Sequence, residues 1–135
     1  MIAEDELKQR MKIFSVRIMQ LVDELPKTMT ASILSKQLLR AGTAIGANYR
    51  SVCRAKSNAD FAAKLAIVEE EADETIYWLE LLTAGNMVKE DRIRSLIKEA
   101  NEFVAITVAS IKTIRQSIEK SKIKNSNSKI YVPIV

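Results

Sequence analysis

The sequence predicts an all-α protein, an antiparallel up-down-up-down four-helix bundle. Along four stretches of the chain, apolar residues recur at alternating spacings of four and three, the period of a helix with one buried side. Only 3 Gly and 2 Pro occur in 135 residues, so there is little turn-forming material and connections must be short. A chain of this length with 47% hydrophobic residues supports a single core, and so one domain.

The first helix is expected from about Glu4 to Glu24, with Leu7, Met11, Phe14, Ile18, Leu21 and Leu25 in one stripe. Glu4, Asp5 and Glu6 complement the dipole of its first turn, and Pro26 stops it. Thr30 is the expected N-cap of the second helix, which is read to about Lys56 with Leu34, Leu38, Ala41, Ile45, Asn48 and Val52 inward. Ser57 and Asp60 resemble a capping box for the third helix, with Asp a shorter substitute for the usual Glu. That helix turns Phe61, Leu65, Val68, Ala72, Ile76 and Leu79 inward and ends near Gly85. The fourth is expected from about Lys89 to Lys120, burying Ile97, Ala100, Val104, Thr107, Ile111, Ile114 and Ile118.

This divides the chain into a bundle over 1–120 and a C-terminal tail over 121–135. In the tail, KNSNSK reads as a polar linker and IYVPIV as a β-prone apolar patch that no bundle position requires. The patch is either a frayed terminus or a segment that docks on a neighbouring subunit.

The second helix carries the most informative pattern. No Asp or Glu occurs from Leu25 until Asp60. Opposite its core stripe lie Lys36, Arg40, Thr43, Ala47, Arg50 and Arg54, and Lys56 follows, so the exposed face is a row of cations. The acidic counterpart is the third helix, where Asp60, Glu69, Glu70, Glu71, Asp73, Glu74 and Glu80 are opposed only by Lys64. Like-charge neighbours there, Glu69 with Asp73 and Glu70 with Glu74, cost a few tenths of a kcal/mol each unless relieved. A carboxylate metal site is disfavoured because bundle di-metal sites use a Glu-x-x-His element. What remains is a solvated acidic face, pairing with the basic stripe within or between chains, or a mixture of the two. Asn48, if buried, needs a hydrogen-bond partner, and Glu71 is the expected partner for Arg40 or Asn48.

Several absences narrow function. With no His in the chain, every Ser/His or Cys/His dyad, His-ligated metal site and imidazole base is removed, so no enzyme and no cofactor are expected. Cys53 is alone and reads as a small packed side chain rather than a reactive thiol. The acidic start is unlike a secretory signal and no apolar run is long enough to span a bilayer, so the expectation is a cytoplasmic protein with no membrane partner. The net charge of +4 permits nucleic-acid binding without being specific for it.

Two features point to self-association. Ile67, Trp78 and Leu81 lie away from the core stripe of the third helix, giving it a second apolar face. Trp78 can equally cover a neighbouring helix of its own bundle. On the second helix Gly42 and Gly46 are four apart, with Tyr49 on the same side. Two glycines inside a soluble helix cost about 1 kcal/mol each relative to Ala, and close approach of another backbone is the usual compensation.

The segments LPK at 25–27, QLLRAGTAIGANYRS at 37–51 and SNADFAAKLAIVEEEADETIYWLELL at 57–82 resemble the proteins encoded by intervening sequences in bacterial 23S rRNA genes. The resemblance spans residues 12 to 118. Ala44 stands where the family's S-I-G-A-N run has serine, and Tyr49 replaces an aliphatic residue, while the tail lies outside it. It implies a four-helix bundle assembled as a ring-like homopentamer around a central opening. It also implies a fold similar to the accessory variability determinant proteins of diversity-generating retroelements, which bind nucleic acid and a reverse transcriptase. No catalytic residue is implied.

Two functions of different class follow. One is an oligomer binding nucleic acid, RNA more than DNA, through phosphate contacts from Lys36, Arg40, Arg50, Arg54 and Lys56, with Gly42, Gly46, Tyr49, Ile67, Trp78 and Leu81 as the oligomer interface. The other is a structural or adaptor homo-oligomer in which the basic helix meets the acidic third helix of the next subunit, with an unidentified protein as a further partner. Carboxylates engaging the arginines of the second helix would weigh against the first.

Overall fold

The computed structural model describes residues 3–128, all of whose regular structure is helical: α1 (Glu4–Glu24), α2 (Met29–Val52), α3 (Asn58–Ala84) and α4 (Glu90–Ser128). The IYVPIV patch lies outside the described residues. No helix among the described residues is long and apolar enough to cross a membrane.

The helix boundaries follow from local chemistry. α1 ends where Leu25, held extended by the proline after it, turns the chain at φ −72° and ψ 155°. The N-cap of α2 is Thr28 and not Thr30: its Oγ1 accepts from the Ala31 N–H at 3.1 Å. Either threonine can cap, and the earlier one adds residues to the helix. α2 stops at Val52 rather than Lys56, because Arg54 and Ala55 already close tight turns onto Ser51 and Val52. Ser57 caps α3 as expected, accepting from the Asp60 N–H at 3.0 Å. The reciprocal bond of the capping box reaches one residue further back, from the Lys56 N–H to Asp60 Oδ2 at 3.1 Å. At the end of α3 the left-handed residue is Asn86, at φ 59°, not Gly85. The Met87 N–H bonds Leu82 O at 2.9 Å and the Asn86 N–H bonds Thr83 O at 3.0 Å, so the α3 end is a Schellman turn.

The core is one cluster running through all four helices. α1 buries its expected stripe of Leu7, Met11, Phe14, Ile18 and Leu21. α3 buries Ala62, Leu65, Val68, Ala72, Thr75, Leu79 and Leu82, with Phe61 and Ile76 on the flank. In α4 the expected Ala100, Thr107 and Ile111 are inside, joined by Ile93, Leu96 and Phe103, while Ile97 and Val104 are only partly buried. Sequence spacing tolerates either choice, because Leu96–Ile97 and Phe103–Val104 are adjacent apolar pairs. Contact with α3 on one side and Phe14 on the other selects the larger Phe103, whose ring meets Phe14 edge-on at 5.4 Å.

Consecutive helices pack closely, while the backbones of α1 and α4 stand further apart and long side chains fill that seam. Arg10 donates to Glu102 at 2.7 Å and Glu99 at 3.2 Å, its guanidinium lying 5.2 Å from the Phe103 ring centre. Arg17 bonds Ser95, and Arg92 grips Glu24 through two bonds of 2.8 and 2.9 Å. α4 outruns the rest: after Ile111 only Ile114 and Ile118 are half-buried, and the helix continues through the stretch read as a linker to Ser128.

Candidate nucleic-acid interface

The glycines of α2 set the geometry of the site. A Cβ on Gly42 would lie 3.0 Å from Ile18 Cγ1, and one on Gly46 would lie 3.3 Å from Met11 Cβ and 3.6 Å from the Met11 backbone. The close approach expected from these residues is real, but its partner is α1 of the same chain. Tyr49, 9% exposed, is likewise part of the core. These three positions are therefore accounted for without a second subunit. Burial, with help from Cys53, pushes the Tyr49 phenol up to about 12, and burial with the Glu4 carboxylate pushes the Cys53 thiol up, away from reactivity.

Small residues at this contact leave a groove above it. The hollow has a volume of about 760 Å³ and its floor includes Ser15, Gly46, Ala47 and Ser51. Ser15 Oγ is turned down into the helix contact, 3.1 Å from Met11 O. Its walls carry Lys8 and Lys12 from α1 and Arg50 and Arg54 from α2 and its end, against a single lining carboxylate, Asp5. Lys8 also meets Glu4 at 3.4 Å. Among the described residues no ion pair engages Lys12, Arg50 or Arg54. Four cations around a concave, polar-floored surface can neutralise successive phosphates of a strand laid along it.

The five expected binding residues are thus divided. Arg50 and Arg54 stand together in the groove. Lys36 lies in another hollow, beside Asp23 and Lys27 at the α1–α2 connection, about 21 Å from Arg50 along the axis at the α-helical rise. Lys56 sits in the α2–α3 turn, its backbone N–H engaged by Asp60. Arg40 is spent within the chain: it donates to Glu71 at 3.0 Å and to Glu74. Glu74 also accepts from Trp78 Nε1 at 2.9 Å. These bonds, Trp78's first and Arg40's with it, hold the Glu74 carboxyl below its ordinary value. Asn48 is half-buried rather than core, and its amide donates to Ala44 O of its own helix at 2.8 Å, so of the two expected partners of Glu71 it is Arg40 that meets it.

Lys8 and Lys12 were missed by sequence reasoning. The available signal was their spacing of four on the flank of the α1 stripe, but only the three-dimensional pairing of α1 with α2 joins them to Arg50 and Arg54. The acidic run of α3 resolves into the expected mixture. Glu71 and Glu74 pair with Arg40, Asp60 meets Lys64 at 2.8 Å, and Glu70, Asp73 and Glu80 remain exposed. Among the described residues no group of three metal-binding side chains converges. On the outer side of α3, Ile67 is 44% exposed, whereas Trp78 and Leu81 are half-buried and Tyr77 packs edge-on against Trp78.

The sequence model described as 23S rRNA-intervening sequence protein matches residues 4–109. Among solved structures, a protein of unknown function from the S23 ribosomal protein family of Bacteroides thetaiotaomicron is 38% identical. It superposes with a TM-score of 0.74 over 81% of this chain and 97% of its own. No curated protein matches.

Proposed function

The chain belongs to the 23S rRNA-intervening sequence protein family, and we propose that it is a non-enzymatic, oligomeric RNA-binding protein whose binding surface is the α1–α2 groove. The observation that carries this reading is the set of Lys12, Arg50 and Arg54 in a shared concave surface with no ion-pair partner among the described residues. Neutralising phosphates there releases counterions, and repeating the groove around an assembly adds avidity. In this reading the helices alternate up-down-up-down, as the pairing of Arg10 with Glu102 and Arg92 with Glu24 supports. The bundles form a ring-like homopentamer, working in the cytoplasm, with Ile67 and the Trp78–Leu81 side of α3 toward a neighbour. The kinship with retroelement accessory proteins belongs to the same proposal.

A second reading, a structural or adaptor homo-oligomer, is favoured by one observation: Arg40 is engaged by carboxylates while Glu70, Asp73 and Glu80 stay exposed to meet a partner. Fluorescence anisotropy with structured RNA and duplex DNA across a salt series separates the two, with light scattering on the same samples. Groove binding predicts a salt-sensitive affinity for RNA whose log–log slope falls by about 1.4 to 1.8 in Arg50→Glu/Arg54→Glu, with mass unchanged. A variant that binds as wild type removes the groove. One that falls to monomers makes the stripe an interface and supports the adaptor.

A further inference from the structure

We infer that the projecting end of α4 is a second phosphate-binding element, a cationic arm that extends the groove's hold on the same nucleic acid strand. The inference rests on the groove reading. The arm lies outside the portion matched to the family, which ends at residue 109. Its last buried residue is Ile111, and every residue from Glu119 to Lys124 is exposed, so packing within the bundle does not explain why the helix continues. A free helical end of this length is marginal in water, since helices shorter than about 12–15 residues depend on tertiary contacts.

Charge identifies what supplies such contacts. Over residues 112–124 Lys112, Arg115, Lys120, Lys122 and Lys124 are opposed within the segment only by Glu119. Glu69 of α3 shares a hollow with Lys112 and Arg115, and among the described residues no ion pair engages the five cations. Lys120 and Lys124 are like charges one turn apart, a repulsion that a polyanion relieves. Two copies of this segment side by side would instead set lysine against lysine, which disfavours self-pairing.

Position joins the arm to the groove. Glu24 pairs with Arg92 and Arg10 with Glu102, so moving back along α1 toward its start means moving forward along α4. The arm therefore leaves the bundle beyond the first turn of α1, at the end where Asp5 and Lys8 line the groove. Cationic side chains of α4 and of the groove thus share one end of the molecule with Glu4, Asp5 and Glu6 of the first turn of α1, of which Glu4 is paired with Lys8. A phosphodiester backbone crossing that end can reach both sets of cations.

The test uses the full chain. Lys120→Glu/Lys122→Glu/Lys124→Glu and its neutral Gln counterpart are compared with wild type and with Arg50→Glu/Arg54→Glu, by anisotropy with structured RNA and duplex DNA and by light scattering. All three lysines are exposed, so melting temperature should not move. The expected result is a loss of roughly tenfold or more at low salt and a salt slope smaller by about 2 in the Gln variant, with unchanged mass. If the arm variants bind as wild type while the groove variant fails, the arm is overturned and the groove stands. The converse result overturns the groove reading and, with it, the arm as an extension of the groove. A fall in mass of the arm variants with RNA affinity intact overturns the proposal in favour of docking on the acidic α3 face of another copy. Greater loss with DNA than with RNA identifies the duplex source of the phosphates.

Discussion

At the scale of single residues, the glycines and the tryptophan are most open to test. Gly46 faces the Met11 backbone across the α1–α2 contact, so a side chain there must push two helices apart. Gly46→Leu is expected to destabilise by about 1–3 kcal/mol, as overpacking does, read from the denaturant midpoint. Wild-type stability would mean that the contact opens freely. The chain has one Trp, and its indole N–H is held by Glu74. Glu74 is held below its ordinary value of 4.5, so its share of stability is complete above that pH and is lost as pH falls through its lowered value. Trp78 emission should therefore stay constant from neutral pH down to about 4.5 and shift below it, and Glu74→Gln should abolish the step. The composition could not show this bond. It needed the i,i+4 spacing on a real helix and Arg40 from the neighbouring one.

At the scale of elements, the helices end where side chains satisfy the backbone. Ser57→Ala should cost about 0.5–2 kcal/mol by orphaning the Asp60 N–H. Asn86, in the left-handed region, should tolerate Gly at no cost, whereas a β-branched residue such as Val should lose about 1–2 kcal/mol in thermal melts. Existence, order and inner face of α1 were legible because its stripe is strict and Pro26 closes it. The start of α2 and the choice within the α4 pairs Leu96–Ile97 and Phe103–Val104 were not. Two threonines compete for the α2 cap, and paired apolar residues on α4 leave the choice of face to its neighbours.

For the molecule as a whole, closure depends on the wide α1–α4 seam. Phe103 bridges it, and Phe103→Ala should cost about 3–5 kcal/mol, far more than loss of the exposed Arg92–Glu24 pair, which solvent screens. Both are read from chemical denaturation. If Ile67 faces a neighbouring subunit, Ile67→Glu should lower the mass seen by light scattering while leaving the helical circular dichroism intact. A wild-type mass would remove Ile67 from the interface.

Local information was sufficient for the four helices, the single core, the family's motifs and the basic character of α2. Each depends on neighbours a few residues apart, where helical periodicity and capping chemistry act. The tertiary structure decided which charges remain available. Arg40 and Arg50 look alike in sequence, yet Arg40 meets Glu71 and Glu74 on α3 while Arg50 joins Lys8 and Lys12 across the α1–α2 groove. That difference arises from helix rotation and from the glycine-mediated contact between α1 and α2. Charges brought together across helices are set by packing, and packing is not written in the spacing of any one of them.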